Sequence, residues 1–178
     1  MMYVSRTAVI TGDVAIGKDS SVWHGAVLRG DLDSIKVGRL VSIQDNAVLH
    51  TDVGNTIAIG DRVTVGHGAI VHGCTVGPDC IVGMGAVITS RARIGAGSII
   101  GAGAVVPEGA EIPEKSIALG VPARVVKPAE EGHRMRIELS WRTYAELAKA
   151  SLPAKRERTG NPAQRVRFKR VDELRGKF

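Results

Sequence analysis

The chain has 178 residues, enough for one domain with an appendage. Its 22 glycines and 3% aromatic content are unusual for a domain whose core is filled with rings as well as aliphatics. No apolar run is long enough to span a bilayer, and the N-terminus lacks a charged segment followed by an apolar one. Neither a membrane partner nor a secretory leader is expected. The net charge of +6 lies wholly in residues 151–178, which carry nine basic and three acidic side chains, whereas residues 1–150 are balanced. A basic tail with only Phe168 and Phe178 as stacking partners argues for a solvated extension rather than a nucleic-acid arm.

In chain order, an aliphatic residue returns every six positions. The series runs Val4, Ile10, Ile16, Val22 and Leu28, then Val37, Ile43 and Leu49, then Ile59, Val65 and Val71. A last series of seven runs from Val76 to Ile112. Breaks in phase fall at 28–37, 49–59 and 71–76. Two residues before most of these aliphatics stands a small one, such as Ala26, Ala47, Ala69, Cys74 or Cys80, and glycine often follows, as at 38, 60, 66 and 83.

Period six fits neither a helix nor an alternating strand. It fits a hexapeptide β-helix, in which each hexad is a short strand plus a corner and three hexads make one triangular coil, here about six coils. The aliphatic points inward, the small residue sits at the tight corner, and glycine is expected to supply the corner's backbone angles. The expected organisation is therefore a β-helix over residues 1–127, a helix within 128–150 and a basic tail over 151–178. The segment Ile117–Val126, bounded by Pro113 and Pro128, is expected to leave the prism. Ile137, Trp141, Tyr144 and Ala148 form the helix's apolar stripe, packing on the prism or a neighbour.

The repeat also places side chains. Leu28, Leu49 and Val71 are three hexads apart, so Arg29, His50 and His72 form one outward column. Val22, Ile43 and Val65 stack likewise, so His24, Asp45 and His67 form a second column on another face, with Met84 one coil beyond. His50 and His72 are one strand spacing apart, about 4.8 Å, close enough to share a metal. His67 would complete the set from a neighbouring copy, and a triangular prism suggests a ring of three. Three imidazoles with an open position are a ligand set for catalytic zinc, with iron or cobalt as alternatives. Cys74 and Cys80 fill small inward positions, and reduced thiols point to the cytoplasm. His133 lies in the helix without an assigned partner.

The stretches Val27-Leu-Arg-Gly-Asp31, Ile43-Gln-Asp-Asn46, Leu49-His50, Val65-Gly-His67, Val71-His-Gly-Cys74, Val82-Gly-Met-Gly85 and Leu119-Gly-Val-Pro122 resemble the gamma-class carbonic anhydrases of the hexapeptide-transferase superfamily. The resemblance covers residues 4–150. It implies a left-handed β-helix and a homotrimer in which zinc takes two histidines from one subunit and one from the next. By that resemblance His50, His67 and His72 are the ligands and Gln44 orients the attacking nucleophile. Arg29 and Asp45 form an intersubunit salt bridge, Asp31 is its structural partner, and Tyr144 reaches the site mouth. The implied activity is reversible hydration of carbon dioxide to bicarbonate. The competing readings are acyl-CoA transfer, metal-assisted thioester hydrolysis and a noncatalytic metal-binding trimer. Two positions depart from the family's active members: Leu32 replaces an acidic residue, and the loop Thr51–Thr56 offers Asp52 alone in place of an acidic proton shuttle.

Overall fold

A computed structural model describes residues 1–155 and 160–164. The hexads become short parallel strands stacked in three faces. On the first face Val4, Val22, Ile43, Val65, Val82, Ile100 and Ala118 lie above one another. The second face stacks Ile10, Leu28, Leu49, Val71, Ile88 and Val106. The third stacks Ile16, Val37, Ile59, Val76, Ile94 and Ile112. Leu28, Leu49, Val71, Ile88 and Val106 are each 0% exposed, so the prism interior is a continuous aliphatic column. Each such side chain contributes about 1.5–3 kcal/mol on burial.

All three phase breaks fall at the corner between the second and third faces. An 11-residue strand, Val27–Val37, carries the chain across the first of them. A bridge between Asp52 and Asn55 closes the second. The third shortens the corner at Gly73. The insertions therefore leave the inward aliphatics undisturbed and alter only what projects from that corner.

The glycines that follow the aliphatics correct one expectation. Gly38, Gly60, Gly66 and Gly83 are not left-handed; the positive-φ residues sit two positions later, at Leu40, Arg62, Gly68 and Gly85. Close stacking is what requires glycine here. A Cβ on Gly60 would stand 2.5 Å from the backbone nitrogen of Pro78 in the next coil, and one on Gly66 2.7 Å from that of Met84. On the second face the same position carries Arg29, His50 and His72 instead.

The end of the prism corrects another. Residues 117–126 do not simply leave it, because Ser116–Leu119 forms a further rung in which Ile117 pairs with Ile99 and Ala118 with Ile100. Ala118 holds the next hexad place after Ile112, and its small side chain hides the continuation from a count of aliphatics. The chain then turns through a cis Val121–Pro122 bond into the antiparallel strand Arg124–Pro128.

The helix spans Glu131–Ser151, and the His133 Nδ1 accepts a hydrogen bond from the Glu130 N–H at 3.1 Å at its start. Ile137 and Ala148 are buried and Trp141 and Tyr144 half-buried, so the expected stripe faces the chain's own first face. Ile137 packs with Ile99 and Ile117. Trp23 meets Tyr144 edge-on at 5.4 Å and packs with Ala148 and Leu152. The described tryptophans and tyrosines thus serve the helix–prism seam, which is why a prism interior built from aliphatics needs so few rings.

The helix returns the chain to the start of the prism. There Ala154–Lys155 pairs antiparallel with Met2–Tyr3, covering an edge that would otherwise offer free backbone groups. The Gly12 N–H donates to Gln164 Oε1 at 3.3 Å. Phe168, Phe178 and most basic residues of the tail lie outside the described residues. No helix among those described is long and apolar enough to cross a membrane.

Cys74 and Cys80 are buried, and burial pushes their thiols up to about 12 and about 11. The fold favours the protonated form, so the stability this contributes is complete below about pH 9 and is lost as pH rises toward those values. At pH 8 the folded protein is expected to resist a disulfide-exchange reagent, whereas in denaturant both thiols react within minutes. Rapid reaction of the native protein would contradict this placement.

Candidate metal centre

The second face brings His50 and His72 together as the repeat requires, since Arg29, His50 and His72 are consecutive partners in the ladder. Their nearest nitrogens, His50 Nδ1 and His72 Nε2, are 3.2 Å apart. Tetrahedral coordination at the usual Zn–N length separates two ligand nitrogens by about 3.3 Å. The pair therefore fits one zinc ion with little movement.

Each imidazole is held at its other nitrogen. His50 Nε2 lies 3.1 Å from Asp31 Oδ1, and His72 Nδ1 lies 3.0 Å from Ser90 Oγ. Such partners orient a metal-binding histidine and fix which nitrogen remains free. Burial lowers the His50 pKa, partly opposed by its hydrogen bond to Asp31, so the ring is neutral at pH 7 and its Nε2–H donates to the carboxylate. For Asp31, burial acts upward, but hydrogen bonds from Arg29 and His50 together with the Arg29 charge outweigh it and hold the carboxyl below its ordinary value. Arg29 Nη1 lies 2.6 Å from Asp31 Oδ2.

His67 belongs to the other half. It projects from the corner after the first face, with Nδ1 2.8 Å from Asp45 Oδ2 and Nε2 3.2 Å from the Tyr144 hydroxyl. The Asp45 Oδ1 also accepts the His24 N–H at 3.2 Å. The Tyr144 phenol is raised by burial and by the Asp45 charge, so it is neutral and donates to the imidazole. Gln44 is 4% exposed and lines the same hollow as His67 and Tyr144. Its Nε2 is 3.5 Å from Ser42 Oγ. His24 bonds Ser5 Oγ at 2.8 Å.

The residues thus divide into two sets. Arg29, Asp31, His50, His72 and Ser90 share the second face, and Asp45, His67, Gln44 and Tyr144 share the first face and the helix. Within one chain the described residues contain no cluster of three or more metal-binding side chains, and Arg29 pairs with Asp31, not with Asp45. Sequence reasoning missed Ser90, which reaches His72 diagonally while the ladder neighbour of that position is Thr89. It also missed the direct bonds from Asp31 to His50 and from Tyr144 to His67.

Known proteins share both the sequence and the fold. Residues 56–90 and 73–108 match the bacterial transferase hexapeptide (six repeats) family. A protein named "Probable carbonic anhydrase" from Methanocaldococcus jannaschii is 46% identical over 82% of this chain and 91% of its own length. The Geobacillus kaustophilus protein named "Carbonic anhydrase" is 41% identical over 88% of this chain and 86% of its own. The crystal structure of the BC4754 gene product of Bacillus cereus superposes with a TM-score of 0.83 at 36% identity, covering 84% of this chain and 87% of that one. With identity of this extent over more than four-fifths of the chain, the chain belongs to the gamma-class carbonic anhydrase family, built on the hexapeptide-repeat β-helix.

Proposed function

We propose that the protein is a zinc-dependent carbonic anhydrase that interconverts carbon dioxide and bicarbonate at sites shared between the subunits of a homotrimer. The observation that carries this reading is the convergence of His50 Nδ1 and His72 Nε2 at 3.2 Å with their remaining nitrogens bonded to Asp31 and Ser90. His67, held by Asp45 on a different face, is the third ligand, contributed by the adjacent copy. Zinc bound there supplies a Lewis acid that lowers the pKa of water to about 7 and so provides a nucleophile at neutral pH.

The chain's own groups do the rest. The His50 Nε2–H donates to Asp31, which leaves the Nδ1 lone pair facing inward. Ser90 can donate or accept; it would accept a hydrogen bond from His72 Nδ1–H if Nε2 held a metal, and donates to Nδ1 when His72 Nε2–H points at His50. Were His67 Nε2 to hold a metal, the Tyr144 hydroxyl that lies 3.2 Å from it would be freed at the mouth. Gln44, buried against the His67 turn, offers an amide to orient the reacting oxygen. Closure of His67 on the adjacent copy's His50 and His72 brings the Asp45 column against the Arg29 column, and arginine favours a bidentate carboxylate partner.

Metal analysis, native mass measurement and a carbon dioxide hydration assay on one preparation test this reading. One zinc per chain, a trimeric mass and hydration well above an equal zinc concentration are expected. A monomer, or a loaded trimer without hydration, would contradict it; the latter would favour a metal-holding or thioester-cleaving role.

A further inference from the structure

Carbon dioxide and bicarbonate have only three and four heavy atoms, against one for water, whose share of liquid volume is about 30 Å³. The hollow beside His67 has a volume of about 500 Å³, within the range of sites for much larger ligands. It runs as a groove between the helix and the first face. Tyr144 and Ser140 stand along its helical wall, and Arg136 and His133 mark the far end. Arg136 and Tyr144 are eight helical rises apart, a span of about 12 Å. Its apolar surface comes from the outward side chains of Ile81, Met84 and Leu119.

The charge of this groove is one-sided. No aspartate or glutamate lines it. Arg136 is exposed and makes no ion pair among the described residues, whereas Arg134 and Arg142 on the same helix are paired with Glu131 and Glu138. His133 accepts at Nδ1 from the helix's start, so its Nε2–H is left as a donor. A second cavity of about 300 Å³ nearby sets Asp79, Glu131 and Glu138 against Lys115 and Arg134, so acidic side chains outnumber basic ones there. The groove pairs an uncompensated cation with apolar side chains.

We propose that this groove binds an elongated anion with an apolar stem, of the medium-chain carboxylate class. The carboxylate sits on Arg136 and the His133 Nε2–H, and the stem lies along the apolar side chains toward Met84 and His67. Arg136 takes the head group because the planar guanidinium gives a carboxylate two charge-assisted hydrogen bonds. The proposal goes beyond carbon dioxide hydration and does not depend on bound metal, because the head group is placed at the end of the groove remote from His67.

Calorimetric titration of the full-length, metal-loaded oligomer with octanoate tests it, with 1-octanol as the neutral comparison and the metal-stripped protein in parallel. Saturable binding of one octanoate per chain is expected with and without metal. Octanol is expected to bind at least about tenfold more weakly, and Arg136→Glu to weaken octanoate by at least about tenfold, the scale of a lost charged hydrogen bond. Arg136→Gln, which keeps a donor without the charge, should fall between the two. Equal binding of octanol, unchanged binding by Arg136→Glu with native helix content, or an absence of saturable binding to the assembled protein would overturn the proposal. So would binding that vanishes on removal of metal, which would put the carboxylate on the metal. Metal content and hydration rate on the same sample report separately on the function proposed above.

Discussion

Replacing His72 with alanine is expected to reduce bound zinc from one per chain toward none and to abolish hydration. His72 supplies the Nε2 that faces His50 Nδ1 at 3.2 Å, and its Nδ1 is already committed to Ser90, so no neighbouring donor replaces it. Loss of an outer partner alone costs about 10- to 100-fold in metal affinity; loss of the ligand itself is expected to exceed about a hundredfold. The imidazole is half-buried on an outward position, so the fold survives, and an unchanged circular dichroism spectrum separates the two effects. Retention of a full zinc complement by His72→Ala would remove the second-face pair from the account.

Leu49→Ala is expected to give the largest loss of stability, about 2–5 kcal/mol. Leu49 is 0% exposed and is stacked between Leu28 and Val71. Neither neighbour can collapse into the vacated space, because its backbone is fixed by hydrogen bonds to the coils on both sides. With typical domain stabilities of about 5–15 kcal/mol, such a loss should move the urea midpoint far down without changing the slope. Protein concentration must be held constant, since assembly contributes to the apparent stability. The same truncation at Ile112, 6% exposed at the last coil, should cost less. A loss below about 1 kcal/mol at Leu49 would mean that the coils are not closely stacked.

The period of six made the fold legible, because it fixes both which residue points inward and which residues lie one coil apart. Leu28, Leu49 and Val71 could be stacked once a break in phase was placed in each interval between them, and the column of Arg29, His50 and His72 followed from them. Glycine was harder to read. Gly60 and Gly66 look like corner residues on composition, but their requirement comes from the backbone of the next coil, a contact that no local rule contains. Ala118 was hidden for the opposite reason, because a hexad place filled by alanine is indistinguishable from loop sequence until the strand beside it is known.

The site was legible only in outline. Spacing could separate His67 from His50 and His72, because the faces differ, but it could not supply the groups that hold them. Asp31 lies in the inserted corner, where the repeat gives no path for the chain. Ser90 approaches His72 from a diagonal position at the one shortened corner. Tyr144 is 77 residues from His67, and its contact depends on the angle at which the helix crosses the prism. These are the residues that decide which nitrogen of each histidine is free.

The most direct test of a site shared between copies is complementation by mixed oligomers. His67→Ala leaves His50 and His72 intact, and His72→Ala leaves His67 intact, so neither variant alone has a complete site. After unfolding and refolding together in equal amounts, random closed assembly places an intact second face beside an intact His67 in about a quarter of the interfaces. Zinc per chain in the mixed oligomer, measured by mass spectrometry, is expected to rise from near zero for each variant to about a quarter of the wild-type value. Recovery of no zinc from oligomers shown by mass to contain both variants would contradict a site divided between subunits.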